Sequence, residues 1–363
     1  MKKIFGILLM VCTFVFVGHI LFADQMSQED CDKKKEGWYI TGLPLINFSS
    51  DTGVGYGVRL YLYYNGERGQ DYFCTTPYLT QIYAQFFQTT NDYYYHELHW
   101  DQFNLFGTDF RIQAALLYEG NSNANYFGIG GDTTRGHLTD YYGNVYGSYS
   151  DYREDFLVGT GIDREFYKFN TYKFIRPKFT LDLYGQIMAN LNYIVGVKFS
   201  WVDITTWNGS SFELNGNKHR SQYTLLALEE PRGFAGGWVN TLRFGVAYNT
   251  LDFEPDPKSG MNIDYSLEMS QSFFGSDYRF YRSTFGARYF ITFFDRLTLA
   301  SRLAYTSAWE DVPFYDMSEF SFPFDRQSGL GGNRTLRGYK DDRFVGRTMT
   351  LVNLEARVKV CEI

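Results

Sequence analysis

Polar and apolar residues alternate along this chain with a period of two, stretch after stretch. Near the C-terminus the alternation runs without a fault: Thr350, Val352, Leu354, Ala356, Val358 and Val360 face one side, and Leu351, Asn353, Glu355, Arg357 and Lys359 face the other. Between 261 and 270 it is as strict, with Met261, Ile263, Tyr265, Leu267 and Met269 set against Asn262, Asp264, Ser266, Glu268 and Ser270. Closer to the N-terminus, Val54, Tyr56, Val58, Leu60 and Leu62 oppose Gly55, Gly57, Arg59 and Tyr61. A period of two means a strand with one apolar and one polar face. From Gly37 onward, segments of this kind, rich in β-branched and aromatic residues, are separated by turn clusters. They predict about twelve strands: 38–48, 54–64, 78–89, 93–105, 110–118, 166–187, 190–205, 238–250, 261–270, 279–294, 297–309 and 350–360.

The connections differ in a regular way. With the first strand starting on the periplasmic side, the near-side turns are 65–77, 106–109, the vicinity of Met188, 251–260 and 294–296. The three long connections, 119–164, 206–237 and 310–347, all fall on the far side. Short turns on one side and long loops on the other characterise an outer-membrane barrel, and a soluble β-sandwich gives no reason for that parity.

The polar faces carry Asp264, Glu268, Glu355, Arg357 and Lys359. A soluble barrel would point these charges at water and bury the apolar faces inward. In long strands the inverted arrangement is more economical, with apolar faces on lipid and charges around a wet lumen. Composition alone leaves both readings open: aromatics are 20% of the 363 residues, with 31 Tyr and 34 Phe, which fits a large soluble aromatic core as well as girdles at both membrane interfaces. The net charge of −7 has no basic block, which argues against nucleic acid as a partner. The predicted fold class is all-β, a transmembrane antiparallel β-barrel whose partner is outer-membrane lipid.

At the N-terminus Lys2 and Lys3 precede an apolar run from Ile4 to Phe22, closed by Ala23. This is the layout of a secretory signal peptide, residues 1–23, with a membrane anchor as the alternative. Residues 24–36 are short, polar and charged and read as a periplasmic linker. The barrel domain is 37–363. Of four cysteines, Cys12 lies in the signal peptide and Cys361 beside the C-terminus. Cys31 in the linker and Cys74 in the first near-side turn would both face the periplasm, where disulfides form, so they are a candidate bridge, with two free thiols as the leading reading.

The stretch 328–357 is the most informative. Gly329-Leu330-Gly331-Gly332-Asn333-Arg334-Thr335-Leu336-Arg337-Gly338-Tyr339, then Phe344-Val345-Gly346, then Asn353-Leu354-Glu355-Ala356-Arg357, resembles the loop-six signature of the BamA/TamA-type outer-membrane barrel superfamily. This is the bacterial surface-antigen family, which includes two-partner secretion transporters. Pro44-Leu45-Ile46 with Ser50-Asp51-Thr52-Gly53-Val54-Gly55-Tyr56-Gly57 is similar to its first hairpin, and the phrase from Asn125 to Thr133 to a loop of its members without periplasmic domains. The resemblance implies a sixteen-stranded barrel in the bacterial outer membrane, inserted by the barrel-assembly machinery. It also implies that loop six, 310–347, folds into the lumen and that its arginine meets acidic side chains on the inner wall. That arginine is Arg337, since a guanidinium in a partly enclosed lumen needs a carboxylate and a bidentate pair suits its fork. Two departures are notable. No polypeptide-transport-associated domain fits in 24–36. The chain also stops at the end of the twelfth strand, so four strands and a terminal aromatic residue are expected to be missing, as in a truncated or frameshifted product; a twelve-stranded closure is the alternative.

With those strands absent, the carboxylates open to Arg337 are Asp264, Glu268 and Glu355, all on predicted inward faces. Leu336, Gly338 and Tyr339 flank it, and Gly331 and Gly332 are turn glycines that would let the loop pack closely against the wall. Gly55 and Gly57 either weaken their strand or leave space for a lumen loop. His96-Glu97-Leu98-His99 is one residue short of a zinc-protease motif, and on a strand its histidines point to opposite faces. Gly128-Ile129-Gly130-Gly131 follows no strand–helix unit, so it is no phosphate loop. No metal, cofactor or enzymatic chemistry is indicated. The reading is a protein translocation or assembly pore acting on an exported or membrane polypeptide. The alternatives are a passive channel or surface antigen that keeps the fold without transport, and a lipid-interacting anchor.

Overall fold

The structure is a computed structural model that describes residues 28–49, 52–70, 72–130, 138–158, 166–207, 211–214, 217–220, 223–254, 256–321, 326–332 and 334–360. The expected signal peptide, 1–23, lies outside the described residues. Twelve strands form the wall: β1 Trp38–Ser49, β2 Gly53–Tyr64, β3 Thr80–Thr89, β4 Tyr93–Gln102, β5 Arg111–Asn125, β6 Thr171–Met188, β7 Leu191–Thr205, β8 Gly237–Asn249, β9 Gly260–Ser270, β10 Phe280–Phe293, β11 Leu297–Glu310 and β12 Thr348–Val358. Each pairs antiparallel with the next in sequence, with β1 and β12 as the terminal strands of one sheet.

The wall is inside-out. On β9, Asn262, Asp264, Ser266, Glu268 and Ser270 are all buried, whereas Tyr265 and Leu267 on the opposite face are 41% and 40% exposed. On β12 the same inversion puts Leu354 at 81% exposure beside buried Met349 and Leu351. Apolar outer faces of this kind are stable only against lipid, where closed antiparallel pairing satisfies the backbone. Aromatic side chains mark both rims. Trp201 and Trp238 are register partners near the far ends of β7 and β8, and Tyr281 stacks on Trp309 near the far ends of β10 and β11. Trp38 packs on Tyr64 at the near end.

Long connections follow β5, β7 and β11, and all emerge on the far side, as the parity required. They fold back over and into the wall. Tyr126, Leu226, Val312, Phe314, Met317 and Val345 from these connections pack with Tyr172, Val202, Val239 and Phe280 of the strands into the largest apolar cluster. The core therefore sits inside the far end of the wall.

Strand ends depart from the sequence reading where local geometry overrides pattern. β4 stops at Gln102 rather than 105 because Asn104 and Phe106 take left-handed backbone in the near-side turn. β5 runs to Asn125 rather than 118, because Glu119, Gly120 and Asn121 continue the ladder against Arg176, Ile175 and Phe174. β6 starts at Thr171 rather than 166, since 166–170 make turns and Asn170 accepts from the Tyr126 amide.

The segment read as a linker is more ordered than its composition suggested. Gln28–Lys33 form a short helix, α1, and 31–37 are bound to the first near-side turn. Cys31 and Cys74 are joined by a disulfide, with Cα atoms 5.4 Å apart. Lys34 Nζ donates to the carbonyls of Phe73 and Thr76 and lies 4.7 Å from the centre of the Phe73 ring. Its burial lowers the ammonium pKa to about 8. Arg68 donates to the carbonyls of Asp32 and Lys34. The disulfide closes a separation of 43 residues, a constraint on the unfolded chain worth about 4 kcal/mol in the chain-entropy account. Cys31→Ser is accordingly expected to make 28–37 and 65–79 sensitive to protease while the wall stays folded. The oxidised wild type should also run faster than the reduced form on a gel. Equal mobility with and without reductant would show that the bridge does not form.

Candidate functional site

One lateral row of inward-facing positions crosses the wall from β1 to β11. Register partners run Tyr39, Tyr63, Gln81, Asp101, Gln113, Asp182, Gly196, Arg243, Glu268, Arg282 and Ala308. The first three are neutral; Asp101 and Asp182 follow with neutral Gln113 between them, and beyond Gly196 the charges of Arg243, Glu268 and Arg282 alternate. Arg243 pairs with Asp182 across β7, and Arg282 Nη1 donates to Glu268 Oε2 at 2.8 Å. Gly196 makes the first pair possible, since a Cβ there would collide with the Asp182 carboxylate. Arg111 at the foot of β5 takes Asp101 in a two-pronged pair (2.9 and 2.7 Å) and also meets Glu254 from the near-side turn after β8 at 3.0 Å. Arg176 pairs with Glu119 at 2.7 Å. In this enclosed space a charge is tolerated only with a partner, and each of these guanidiniums has one.

The connection between β11 and β12 descends onto this row. Val312, Phe314 and Phe320 are buried, and between them Asp316 and Glu319 reach the wall. Lys198 Nζ, on β7 two residues beyond the charged row, donates to Asp316 Oδ1 and Glu319 Oε2, both at 3.1 Å. Arg282 Nη2 donates to the Asp316 carbonyl at 2.6 Å and lies 3.0 Å from Asp316 Oδ2. Lys198 has only Thr180 and Thr241 as lateral neighbours, which leaves room for a carboxylate from the loop. Side chains at this latch are nearly water-free, at 2% exposure for Lys198 and 1% for Arg282.

The residues singled out in the sequence lie elsewhere in the same connection. Leu336 packs with Leu330 against Ala304, Phe320, Met349 and Leu351. Gly331 and Gly332 have positive φ, and a Cβ at either would strike Lys340 or Asp341, so they are needed for the loop's tight fold. Thr335 receives the Gly331 amide, and Asn353 of β12 donates to the Thr335 carbonyl at 3.1 Å. Tyr339 meets Phe344 edge-on, and Gly338 stands in open space. Arg337 Nη2 donates to Glu355 Oε1 at 3.2 Å, but its side chain is 75% exposed. Of the other two carboxylates expected for it, Glu268 is held by Arg282, and Asp264 lies three strands away, level with Leu351 by register. The dominant buried contact thus runs opposite to the expectation: acids of the loop meet cations of the wall. The space beside Gly55 is taken by the side chains of Asn47 and Phe87, and that beside Gly57 by the β3 backbone at Phe86 and Phe87, rather than by the loop. His96 stacks on Phe86 and His99 on Tyr83, on opposite faces of β4.

Sequence reasoning missed Lys198, Arg243, Arg282, Asp316 and Glu319. A signal existed for the first three, as cations set by the period-two pattern on the inward faces of their strands, but nothing local marks which loop acids they receive.

Asp342 is the titratable feature of this loop. Burial, with Asp341 beside it, pushes its carboxyl up to about 6; Glu119 acts in the same direction, and Arg176 and the Gly329 amide act against it. The folded loop holds this proton more tightly than an unfolded one, so its stability rises as pH falls through 6 and the ionised form weakens it above. Protection of 326–347 from protease should therefore increase between pH 7.5 and 5.5. Asp342→Asn should flatten that dependence, and an unchanged slope would show that another group is responsible.

A family model described as the Omp85 superfamily domain matches residues 104–362, more than two thirds of the chain. The chain belongs to the Omp85 superfamily. The match spans β5 to β12 with the charged row from Asp182 to Arg282 and the loop latch, and the BamA/TamA-type, outer-membrane character read from the loop-six phrase agrees with it. A second model, a domain of unknown function (DUF5982), matches 19–79, which holds α1, β1, β2 and the disulfide-tied turn. No curated protein matches the chain. Among solved structures similar to this Omp85 chain are BamA from Haemophilus ducreyi lacking POTRA domains 1–3 (14% identity, TM-score 0.49, covering 91% of this chain and 55% of that one) and CdiB from Acinetobacter baumannii (8%, 0.43, 90% and 47%). OmpT from Vibrio cholerae is a third (8%, 0.32, 89% and 91%). The chain spans about half the length of the BamA and CdiB chains.

Proposed function

We propose that the chain is an outer-membrane pore for polypeptide translocation or assembly, closed at rest by the connection between β11 and β12. The observation that carries this reading is the latch. A wall that only needed to be filled would use apolar packing, because replacing buried ion pairs by apolar groups is often neutral or stabilising. Asp316 and Glu319 on Lys198 and Arg282 instead make a contact that water can replace once the loop moves. Ion pairs within the wall would keep the strands together in either state. In this reading residues 1–23 direct export and are removed, and lipid meets the apolar faces of the strands.

The test is a planar-bilayer recording on the chain with 313–345 replaced by a short flexible linker. A large steady conductance, interrupted when an unfolded polypeptide is added on one side, is the expected result. An open conductance that ignores polypeptide supports a passive channel instead. The absence of any conductance increase removes the pore reading.

A further inference from the structure

We infer that Lys198 and Arg282 form a carboxylate receptor on the inner wall, for which Asp316 and Glu319 act as a built-in ligand that an acidic segment of a second polypeptide replaces. The charge count along the wall carries this. Arg243 is matched by Asp182, Arg282 by Glu268, Arg176 by Glu119 and Arg111 by Asp101, each pair lying within the strands. Lys198 differs: its two ion pairs are both with the loop. Arg282 likewise keeps one arm on Glu268 and turns the other to Asp316. When the loop leaves, the wall pairs remain satisfied, but Lys198 and the second arm of Arg282 face the lumen without their carboxylates.

The vacated site has a defined ligand chemistry. It takes two carboxylates three residues apart on one chain, held by an ammonium with room for both and a guanidinium bound to one. It also takes a backbone carbonyl, since Arg282 Nη2 donates to the Asp316 carbonyl as well as lying near its carboxylate. A free inorganic anion supplies charge but not this second feature, so a peptide is the favoured ligand over phosphate or a lipid headgroup. The neighbours agree with a replaceable occupant: Thr180, Thr241 and Ala308 around the two cations are small and uncharged, and the wall carboxylate beside them, Glu268, occupies the other arm of Arg282.

The inference deepens the translocation reading, because it names acidic segments as what would unlock the pore, yet the binding site can be tested without any transport. The probe is a fluorescent nonapeptide of the loop's own sequence, Pro313 to Ser321, and its analogue with Asn and Gln at the two acidic positions. The receptor is the full chain carrying Asp316→Asn and Glu319→Gln, so that its own loop no longer competes. The acidic peptide is expected to bind at least tenfold more tightly than the amide analogue, and Lys198→Met in the same background should erase that difference. Inorganic phosphate should displace the peptide only at far higher concentration. Retained gel mobility of the folded barrel controls for the Lys198→Met variant. If that variant does not fold, adding acidic peptide to the wild type still decides, since it should speed loop proteolysis severalfold where the amide analogue does not. Equal binding of both peptides, or no binding of either, overturns the receptor. A positive binding result with no polypeptide effect on conductance would leave the receptor standing and remove the translocation reading instead.

Discussion

With Asn at 316 and Gln at 319, the connection between β11 and β12 is expected to be cut by protease at least about a hundredfold faster than in the wild type, while the wall stays folded. Lys198 is 2% exposed and has both its ion pairs with these two residues. Removing one side of a buried pair costs about 3–5 kcal/mol, because the remaining charge is left unsolvated. Here the chain has an escape: the loop swings out and water reaches the ammonium. The cost then appears as local opening rather than global unfolding, and each 1.4 kcal/mol is about tenfold in the open population. Arg337→Ala in the same assay should change little. That arginine is 75% exposed and its partner Glu355 38%, and exposed pairs contribute about 1 kcal/mol at most. Equal cleavage of the double variant and the wild type would mean that the apolar residues around the latch hold the loop unaided. A large effect of Arg337→Ala would restore that arginine as the main anchor.

The second large effect concerns the wall itself. Arg282→Met leaves Glu268, 1% exposed, and Asp316 facing each other with their shared cation gone. Lys198 and Arg243 are near but already engaged by the loop and by Asp182. Glu268 cannot swing out to water, because it lies in a paired strand between Arg243 and Arg282. The expected loss of about 3–5 kcal/mol therefore falls on the β8–β10 sheet, and the folded band on an unboiled gel should disappear at lower temperature. Adding Glu268→Leu to Arg282→Met should recover much of that loss, since the carboxylate deprived of its cation is then gone and Asp316 keeps Lys198. If the double variant is as unstable as the single one, packing around Arg282 rather than its charge is what matters.

The wall was legible in the sequence because a strand's two faces are written two residues apart. Asp264 and Glu268 were placed inward from their alternation with Met261, Ile263, Tyr265, Leu267 and Met269, and they are buried there. What could not be read was pairing across the lumen. Lys198 sits between Val197 and Phe199, and period two gives its face but not its partner, which is 118 residues away in a connection without regular pattern. The glycines of 329–338 drew attention to Arg337 because a motif is local and visible. Asp316 and Glu319 belong to a stretch whose form is imposed by burial of Val312, Phe314 and Phe320 against other elements. The same limit explains the segment 28–36: its polarity was correctly read, but its order comes from Cys74 and Phe73, in a turn that follows two whole strands.

That early attachment has a mechanical consequence. The amide of Gly37 donates to the Gly66 carbonyl and that of Asn65 to the Gly37 carbonyl, and the Cys31–Cys74 bond ties the same two segments covalently. Tension applied to the N-terminal segment is thus carried by a covalent link into the turn between β2 and β3, bypassing the β1–β2 ladder. Peeling, the weak loading direction for a terminal strand, cannot start from that end. A pull on the N-terminal segment from the near side loads the hairpin as one unit, whereas the same pull on the far end of β1 would open it one hydrogen bond at a time.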